Sequence, residues 1–581
     1  MKTPMSTEPT LTPSARRARA CARPRATVAT VASALAGLLA AALPPPARAQ
    51  DDADMTFTIE DTGEATGQAA APAEGPPSEA LANALRLYQQ ERYAEAAVQF
   101  QRVVEGETAD APANVQKAQF FLGKSLYHLR IYQSALAIFD EISLQGASNL
   151  YFDQTLQWLA QLASQLPEPA GIIEKVGRYG VDQLEQFNRD ETRELYNQLQ
   201  FIMGRYKYQQ GEFEGAIELF QNVQADSRFF VQAKFFAGIT HVRLRQARPA
   251  VQAFRGIIDR LDAGNVVGVE DEARMRNLAW ISLARVYYTA ANQTDEQGNM
   301  NVDGRLLGQA VEGWNQVEQS SEYWLDALFE TSWAFFLADE YSRALGNIHT
   351  LFSPYFDQAY YPEALVLKAV TFFVNCQVDN AEAIIGQFHE RYDPVKQELE
   401  QVLAQYQDDN TQFFQFLERV RAGEANLSPR IRGIVSSALS DRTLLRNVEY
   451  VRLLENEEAR LNSAPEQFRN SSLGARILQD IVVAKTFAID QTGDLARARY
   501  NRLIDELQDL TNDILKIEIE IAAFKRGELT AEAQGQMAAA QDSGGGDVVV
   551  DEEHQLWPFD GEYWRDELGF YRQQVSNQCS R

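Results

Sequence analysis

The sequence predicts an all-α fold: a helix-hairpin solenoid, followed by a helical coiled-coil hairpin and a short aromatic C-terminal segment. Three observations predict it. Across residues 200–261 two consecutive units repeat with a 34-residue period and no gap: Gly204 and Gly238, Ala216 and Ala250, and Phe220 and Phe254 all stand 34 apart. A period in this range signals stacked helical hairpins. Farther on, Leu503, Leu507, Leu510, Ile514, Ile517, Ile521 and Phe524 alternate steps of four and three, three heptads of an a/d seam. Finally, 581 residues exceed what one compact core can organise, so a repeat array or several modules is required.

Within each 34-residue unit the order is glycine, a gap, alanine, then an aromatic four residues on. The small residues suit the close crossing of two antiparallel helices, and the aromatic fills the space beside it on the same helix face. The segment GRYKYQQGEFEGAIELF, residues 204–220, resembles the tetratricopeptide repeat (TPR). The resemblance extends outward. Tyr93, Ala96, Phe100 and Val103 match a second helix, with Ala84 where glycine is common. Leu122 and Gly123 with Tyr132, Ala135, Phe139 and Ile142 form a better match, and residues 150–180 a degenerate one. A sixth unit begins at Leu283, Ala284 and Tyr287, but Leu283 and Ala310 lie 27 apart, so an insertion near residues 292–304 is expected. Tyr341, Ala344 and Ile348, then Ala381, Ile385 and Phe388, mark two more units, with Pro362 suited to a first helical turn. About seven recognisable units and one or two degenerate ones are expected over 79–392, enough to bury a continuous core.

The segments on either side of the array read differently. Arg16, Arg17, Arg19, Arg23 and Arg25 precede an apolar run, three prolines and an Ala47-Arg48-Ala49 site. This is the pattern of a secretory signal over residues 1–49, with a membrane anchor as the rival reading. Residues 50–78 read as a disordered acidic leader. Residues 393–540 read as helical with the coiled coil, and a second seam begins at Leu444, Val448 and Val451. The two seams can pair as an antiparallel intrachain hairpin or serve a dimer. Residues 541–555 read as a flexible linker. In residues 556–581, Trp557, Phe559, Tyr563, Trp564, Phe570 and Tyr571 place six aromatics within 15 residues. Such a cluster either docks back on the solenoid or engages a partner.

With 81 Asp+Glu against 54 Lys+Arg, the formal net charge of −27 argues against nucleic acid and anionic membranes as partners. Only Cys21, Cys376 and Cys579 are present, so no disulfide framework is expected. No catalytic motif is found: the histidines lack zinc-protease spacing, and there is no P-loop, dinucleotide fingerprint or nucleophile elbow. The chain is therefore expected not to be an enzyme and to need no cofactor. Asn299, Asn301, Asp303 and Gly304 match part of an EF-hand loop, but Ala310 stands where the closing glutamate belongs, so a polar turn is the better reading.

In the TPR family, positions just after the small residue, and three beyond, face a concave binding groove. The resemblance carries these roles to Lys124, Arg205 and Arg285, and to Tyr127, Tyr208 and Tyr288. Ile239 with Val242, and Trp333 with Phe336, depart from the pattern. The strip could hold an extended peptide, its carboxylates on the cations; equally, the cations could be ordinary solvated side chains and the tyrosines inter-repeat packing. The resemblance, together with the secretory signal, implies a periplasmic, non-enzymatic scaffold of the bacterial envelope that binds protein or peptide partners. A structural component that self-associates through its coiled coil and aromatic tail is the alternative, and a cell-wall hydrolase a third reading that lacks a locatable carboxylate pair.

Overall fold

The computed structural model describes residues 75–264, 266–294, 300–357, 359–406, 409–533 and 554–579. Residues 1–49, most of the acidic leader and residues 541–553 of the expected linker lie outside the described residues. The chain is an all-α solenoid. Its successive hairpins are α1 (Glu79–Gln89) with α2 (Tyr93–Val104), then α3 (Pro112–His128) with α4 (Tyr132–Gln145). An irregular third unit follows, built from α5 (Phe152–Ala163), the 3-10 turn Glu168–Ala170, α6 (Ile172–Val176) and α7 (Val181–Leu184). Regular hairpins resume with α8 (Arg193–Gln210) and α9 (Phe213–Asn222), then α10 (Phe230–Arg243) and α11 (Ala247–Asp262). The sixth pairs α12 (Glu272–Ala291) with α13 (Gly304–Asn315). The seventh joins α14 (Trp324–Leu337) to α15 (Tyr341–Leu351), and the eighth α16 (Pro362–Val374) to α17 (Val378–Tyr406).

The glycine–alanine–aromatic spacing has a direct steric cause. A Cβ on Gly204 would lie 2.6 Å from the Phe220 ring, and one on Gly238 2.8 Å from the Phe254 ring. The ring of the second helix therefore sits in the notch left by the first helix's missing side chain, while Ala216 and Ala250 are fully buried beside it. A second regularity is hidden in the sequence. Glu91, Arg130, Arg245, Asp339 and Cys376 all have φ between 57° and 61°, and each occupies the same place in the turn joining the two helices of its hairpin. Gly211 does so with φ 79°. The left-handed residue is imposed by the helix-to-helix geometry, since only one of the six is the glycine that such a φ favours.

The insertion in the sixth unit is a two-stranded antiparallel ribbon, β1 (Asn292–Thr294) and β2 (Met300–Val302). Asn301 pairs with Gln293, and the Asp303 carboxylate accepts from the backbone N–H groups of Arg305 and Leu306, capping α13. Asp303 is thus spent on a helix end; Asn299 lies outside the described residues.

Beyond the array come α18 (Asn410–Ala422), α19 (Pro429–Ala438), α20 (Arg442–Ser463), the one-turn α21 (Glu466–Arg469) and the 62-residue α22 (Ser472–Ala533). Helix α20 folds back antiparallel on α22, but against its first half: Arg499 pairs with Asp441 at 2.8 Å, and Lys485 pairs with Glu458. The heptad seam Leu503–Leu507–Leu510–Ile514–Ile517–Ile521 is instead buried in the core shared with α16 and α17, and Lys525 meets Glu382 at 2.8 Å. The expected pairing of the two seams with each other is corrected to this extent. The last repeat supplies a longer apolar face than the 22-residue α20 could.

At its other end α22 buries Leu473, Ile477 and Ile481 in the core of units one to three and contacts α2 and α4. At about 1.5 Å per residue, the stretch from Leu473 to Ile521 ties the first repeats to the last across roughly 70 Å. Glu457 of α20 secures the near end. Helix α4 starts after Ile131, which has no capping side chain, and the Glu457 carboxylate accepts from Tyr132 N at 3.0 Å and Gln133 N at 3.1 Å. Burial pushes Glu457 up to about 8 from an ordinary 4.5, against the pull of these donors. The folded chain therefore holds this proton more tightly than the unfolded chain. The contribution of Glu457 to stability falls as pH rises between those values and is flat outside them. Glu457→Ala should cost about 1–2 kcal/mol in urea midpoints through loss of the cap. Glu457→Gln, which keeps an acceptor, should gain on wild type between about pH 5 and 8. An Ala variant as stable as wild type would remove the cap from this account.

Candidate functional site

Two places carry the residues singled out from the sequence: the inner edges of the first helices, and the end of the array where the tail lies.

On the first helices the predicted strip exists as positions but not as an open row of cations. Lys124 is 2% exposed, its ammonium set among rings at 4.5 Å from the Phe121 centroid and 5.3 Å from those of Tyr88 and Trp158. Arg205 is 5% exposed and pairs at 2.7 Å with Glu168, in the 3-10 turn of the irregular unit. Arg446 of α20 approaches the same carboxylate at 3.6 Å, so Glu168 joins units three and four to the hairpin behind them. Arg285 grips Glu330 of α14 through Nε at 2.9 Å and Nη2 at 2.6 Å, and Trp314 Nε1 donates to the other Glu330 oxygen at 2.8 Å. Burial raises the Glu330 carboxyl against the pull of Arg285, whereas attraction to Glu330 raises the Arg285 guanidinium against its own desolvation. Tyr288 is buried against Trp314, Tyr127 packs on Trp158, and the Tyr208 hydroxyl accepts from Arg243. The expectation of basic heads beside aromatic faces in an open groove is thereby corrected. Lys124 is enclosed by rings, while Arg205 and Arg285 turn to Glu168 and Glu330 one unit away, at distances in sequence that a single-repeat template does not register.

At the far end, residues 554–579 lie across units seven and eight. Leu568 is 3% exposed; Gly569 N donates to Thr350 Oγ1 at 3.0 Å, and Gln573 N donates to the Ser342 carbonyl at 3.0 Å. Gln377 Nε2 donates to the Ser576 carbonyl at 2.7 Å, and Gln578 N donates to the Asn375 carbonyl at 2.9 Å. Cys579 is disulfide-bonded to Cys376, with Cα atoms 5.0 Å apart. The expectation is of no disulfide framework, and this single bridge is an addition to it. Two cysteines 203 residues apart gave no pairing signal in the sequence, and only the return of the tail brings them together. Of the aromatic residues, Phe559 and Tyr563 close on His349, each with a centroid distance of 4.6 Å, and Tyr571 stands at 5.2 Å. Burial beneath these rings, with Lys368 nearby, holds His349 down at about 4. Trp557 lies on Trp564, and the Tyr571 hydroxyl bonds the Trp564 backbone. Docking is incomplete, however. Leu556, Phe559, Trp564 and Phe570 remain about half or more exposed, the last at 74%.

Among the described residues no helix is long and apolar enough to cross a membrane, and no three His, Cys, Asp or Glu side chains gather as metal ligands.

These features define a helical-repeat solenoid of TPR-like type whose two ends are tied by one helix and whose tail is bonded to its last units. No protein-family model matches the chain, and no curated protein matches it. Among solved structures it is similar to the apo form of RapI, with 11% identity, 66% of this chain and 98% of that chain covered, and a TM-score of 0.30. A circular tandem repeat protein with novel repeat topology is similar at 13% identity, covering 76% and 99%, with a TM-score of 0.12. Neither likeness bears on function, and the fold assignment rests on the hairpins themselves.

Proposed function

We propose that this protein is a non-enzymatic interaction scaffold of the TPR family. It is exported across the inner membrane of a bacterium, works in the periplasm, and captures a protein partner on the apolar surface that its C-terminal segment carries. The observation that supports this most is the half-docked tail. A segment fixed by backbone hydrogen bonds and a disulfide nevertheless leaves Leu556, Phe559, Trp564 and Phe570 in water. Large rings held outward at the cost of solvation suit partner anchors, since buried aromatics dominate interface energies. The Arg-rich start, apolar run and Ala47-Arg48-Ala49 site support export. A disulfide is at home in an oxidising compartment such as the periplasm.

Crosslinking capture from the native host tests this reading, using the full chain beside a variant with Leu556, Phe559, Trp564 and Phe570 all changed to Ser. The expected result is one defined envelope protein recovered by wild type and lost from the variant, with equal helical circular dichroism. Equal capture by both chains would move the site off the tail.

A second reading has its own support. Helix α22 turns Val482, Val483 and Phe487 outward near one end, and Leu515 and Ile519 near the other. These could seat a second copy, and recovery of the bait alone, with mass rising with concentration, would favour a self-associating structural role.

A further inference from the structure

The path of the tail over the last two units is that of a ligand in a groove. It is held through its own backbone: two of its N–H groups donate to the carbonyls of Ser342 and Asn375, a third donates to Thr350 Oγ1, and one of its carbonyls accepts from Gln377 Nε2. Recognition of extended backbone with one buried side chain is how repeat grooves and sheet edges take peptides. Leu568 is that side chain. Next to it Gly569, at φ 89°, would bring a Cβ to 3.1 Å from Trp324, so the chain turns there where a larger residue would strain. On the receiving side, α15 carries Gly346, where a Cβ would come 1.7 Å from the Tyr571 carbonyl oxygen and 2.4 Å from its carbon. The backbone of the tail thus lies directly on the backbone of α15. Cys376 sits at the left-handed turn between α16 and α17, beside the Asn375 and Gln377 that bind the tail, so the bridge closes the end of the groove.

We propose that the face formed by α14, α15 and the α16–α17 turn is a binding site for an extended peptide, that residues 568–579 are its resident ligand, and that the Cys376–Cys579 bridge latches that ligand in place. Opening the latch takes a dithiol reductant of the thiol–disulfide oxidoreductase class. One thiolate attacks a sulfur of the bridge, the mixed disulfide is resolved by the second thiol, and two electrons and two protons convert Cys376 and Cys579 to thiols while the reductant becomes a disulfide. With the bridge closed, the tail is present at an effective concentration no free peptide can match. With it open, the tail is held only by non-covalent contacts, its hydrogen bonds, Leu568, Val575 and the rings on His349, and becomes exchangeable. The site is independent of which partner the exposed rings engage.

Two measurements on the full chain decide it. Hydrogen exchange of residues 568–579 is followed before and after dithiothreitol, and the expected result is exchange faster by roughly 10- to 100-fold after reduction, with α14–α17 unchanged. Tail amides equally protected after reduction, or α14–α17 loosened together with the tail, would overturn the latch. For the site itself, the chain's own tail is weakened by Leu568→Asp, Gln573→Pro and Cys579→Ser, and a fluorescent peptide of residues 566–579, with serine in place of its cysteine, is titrated in. Saturable binding to this variant, absent from oxidised wild type and abolished by adding Gly346→Val, is expected. No uptake by the variant, with helical content intact, would show that the face is a packing surface and no binding site.

Discussion

Changing Arg285 to Glu is expected to destabilise the array by about 3–5 kcal/mol, the cost of leaving a buried carboxylate without its counter-charge. Here the cost is compounded by a second carboxylate in its place. Glu330 is 6% exposed, and besides the Arg285 guanidinium it accepts from Trp314 Nε1. The fork of Arg285 is what makes its ionised form tolerable there. The loss should appear as a lower urea midpoint and as earlier proteolysis within α12–α14. Arg285→Met with Glu330→Met should cost much less than either single change, because an apolar pair of similar volume leaves no unpaired charge. If Arg285→Glu instead kept wild-type stability and lost only partner capture, the residue would be a surface ligand contact and the internal pair would be unimportant.

Changing Gly493 to Val should break the strut. Gly493 lies where α22 passes the first turn of α18, and a Cβ there would stand 1.9 Å from the Asn410 carbonyl oxygen and 2.6 Å from its carbon. Both are backbone atoms and cannot rotate away, so α18 or α22 must move. Nearby Phe413 and Phe416 pack on Tyr500 at 5.7 and 6.0 Å and would lose that contact. Overpacking of this kind costs about 1–3 kcal/mol, and a rigid backbone neighbour places this case at the upper end or beyond. Gly386→Ala in α17 is the control: nothing lies within 4 Å of its Cβ, and a gain of about 0.5–1 kcal/mol in helix propensity is expected. Thermal unfolding and protease sensitivity of the 472–533 helix read both. A Gly493→Val chain with an intact, protected α22 would mean that the α18 crossing adapts freely.

What the sequence alone could determine is whatever repeats at short range. The 34-residue spacing of Gly204, Ala216 and Phe220 with Gly238, Ala250 and Phe254 was legible because each glycine and its aromatic belong to one hairpin, sixteen residues apart. The apolar face of residues 503–521 was legible as a seam for the same reason, since helical periodicity is written within a few turns. The partner of that seam was not, because α16, α17 and α20 all offer apolar residues and only three-dimensional length decides among them. The cations of the strip lie on first helices, yet the surroundings of Arg205 and Arg285 are set by Glu168 and Glu330, which the fold brings in from neighbouring units, and those of Lys124 by the rings of Tyr88 and Trp158. The Glu457 cap on α4 spans 325 residues and the Cys376–Cys579 bridge 203. Such contacts leave no local periodicity, and they are what turn a string of similar hairpins into a structure with tied ends and a latched tail. Local pattern fixes the unit, because its interactions close within one hairpin; charge pairing, caps and the tail's groove depend on which units meet, and that is decided only when the long helix spans them.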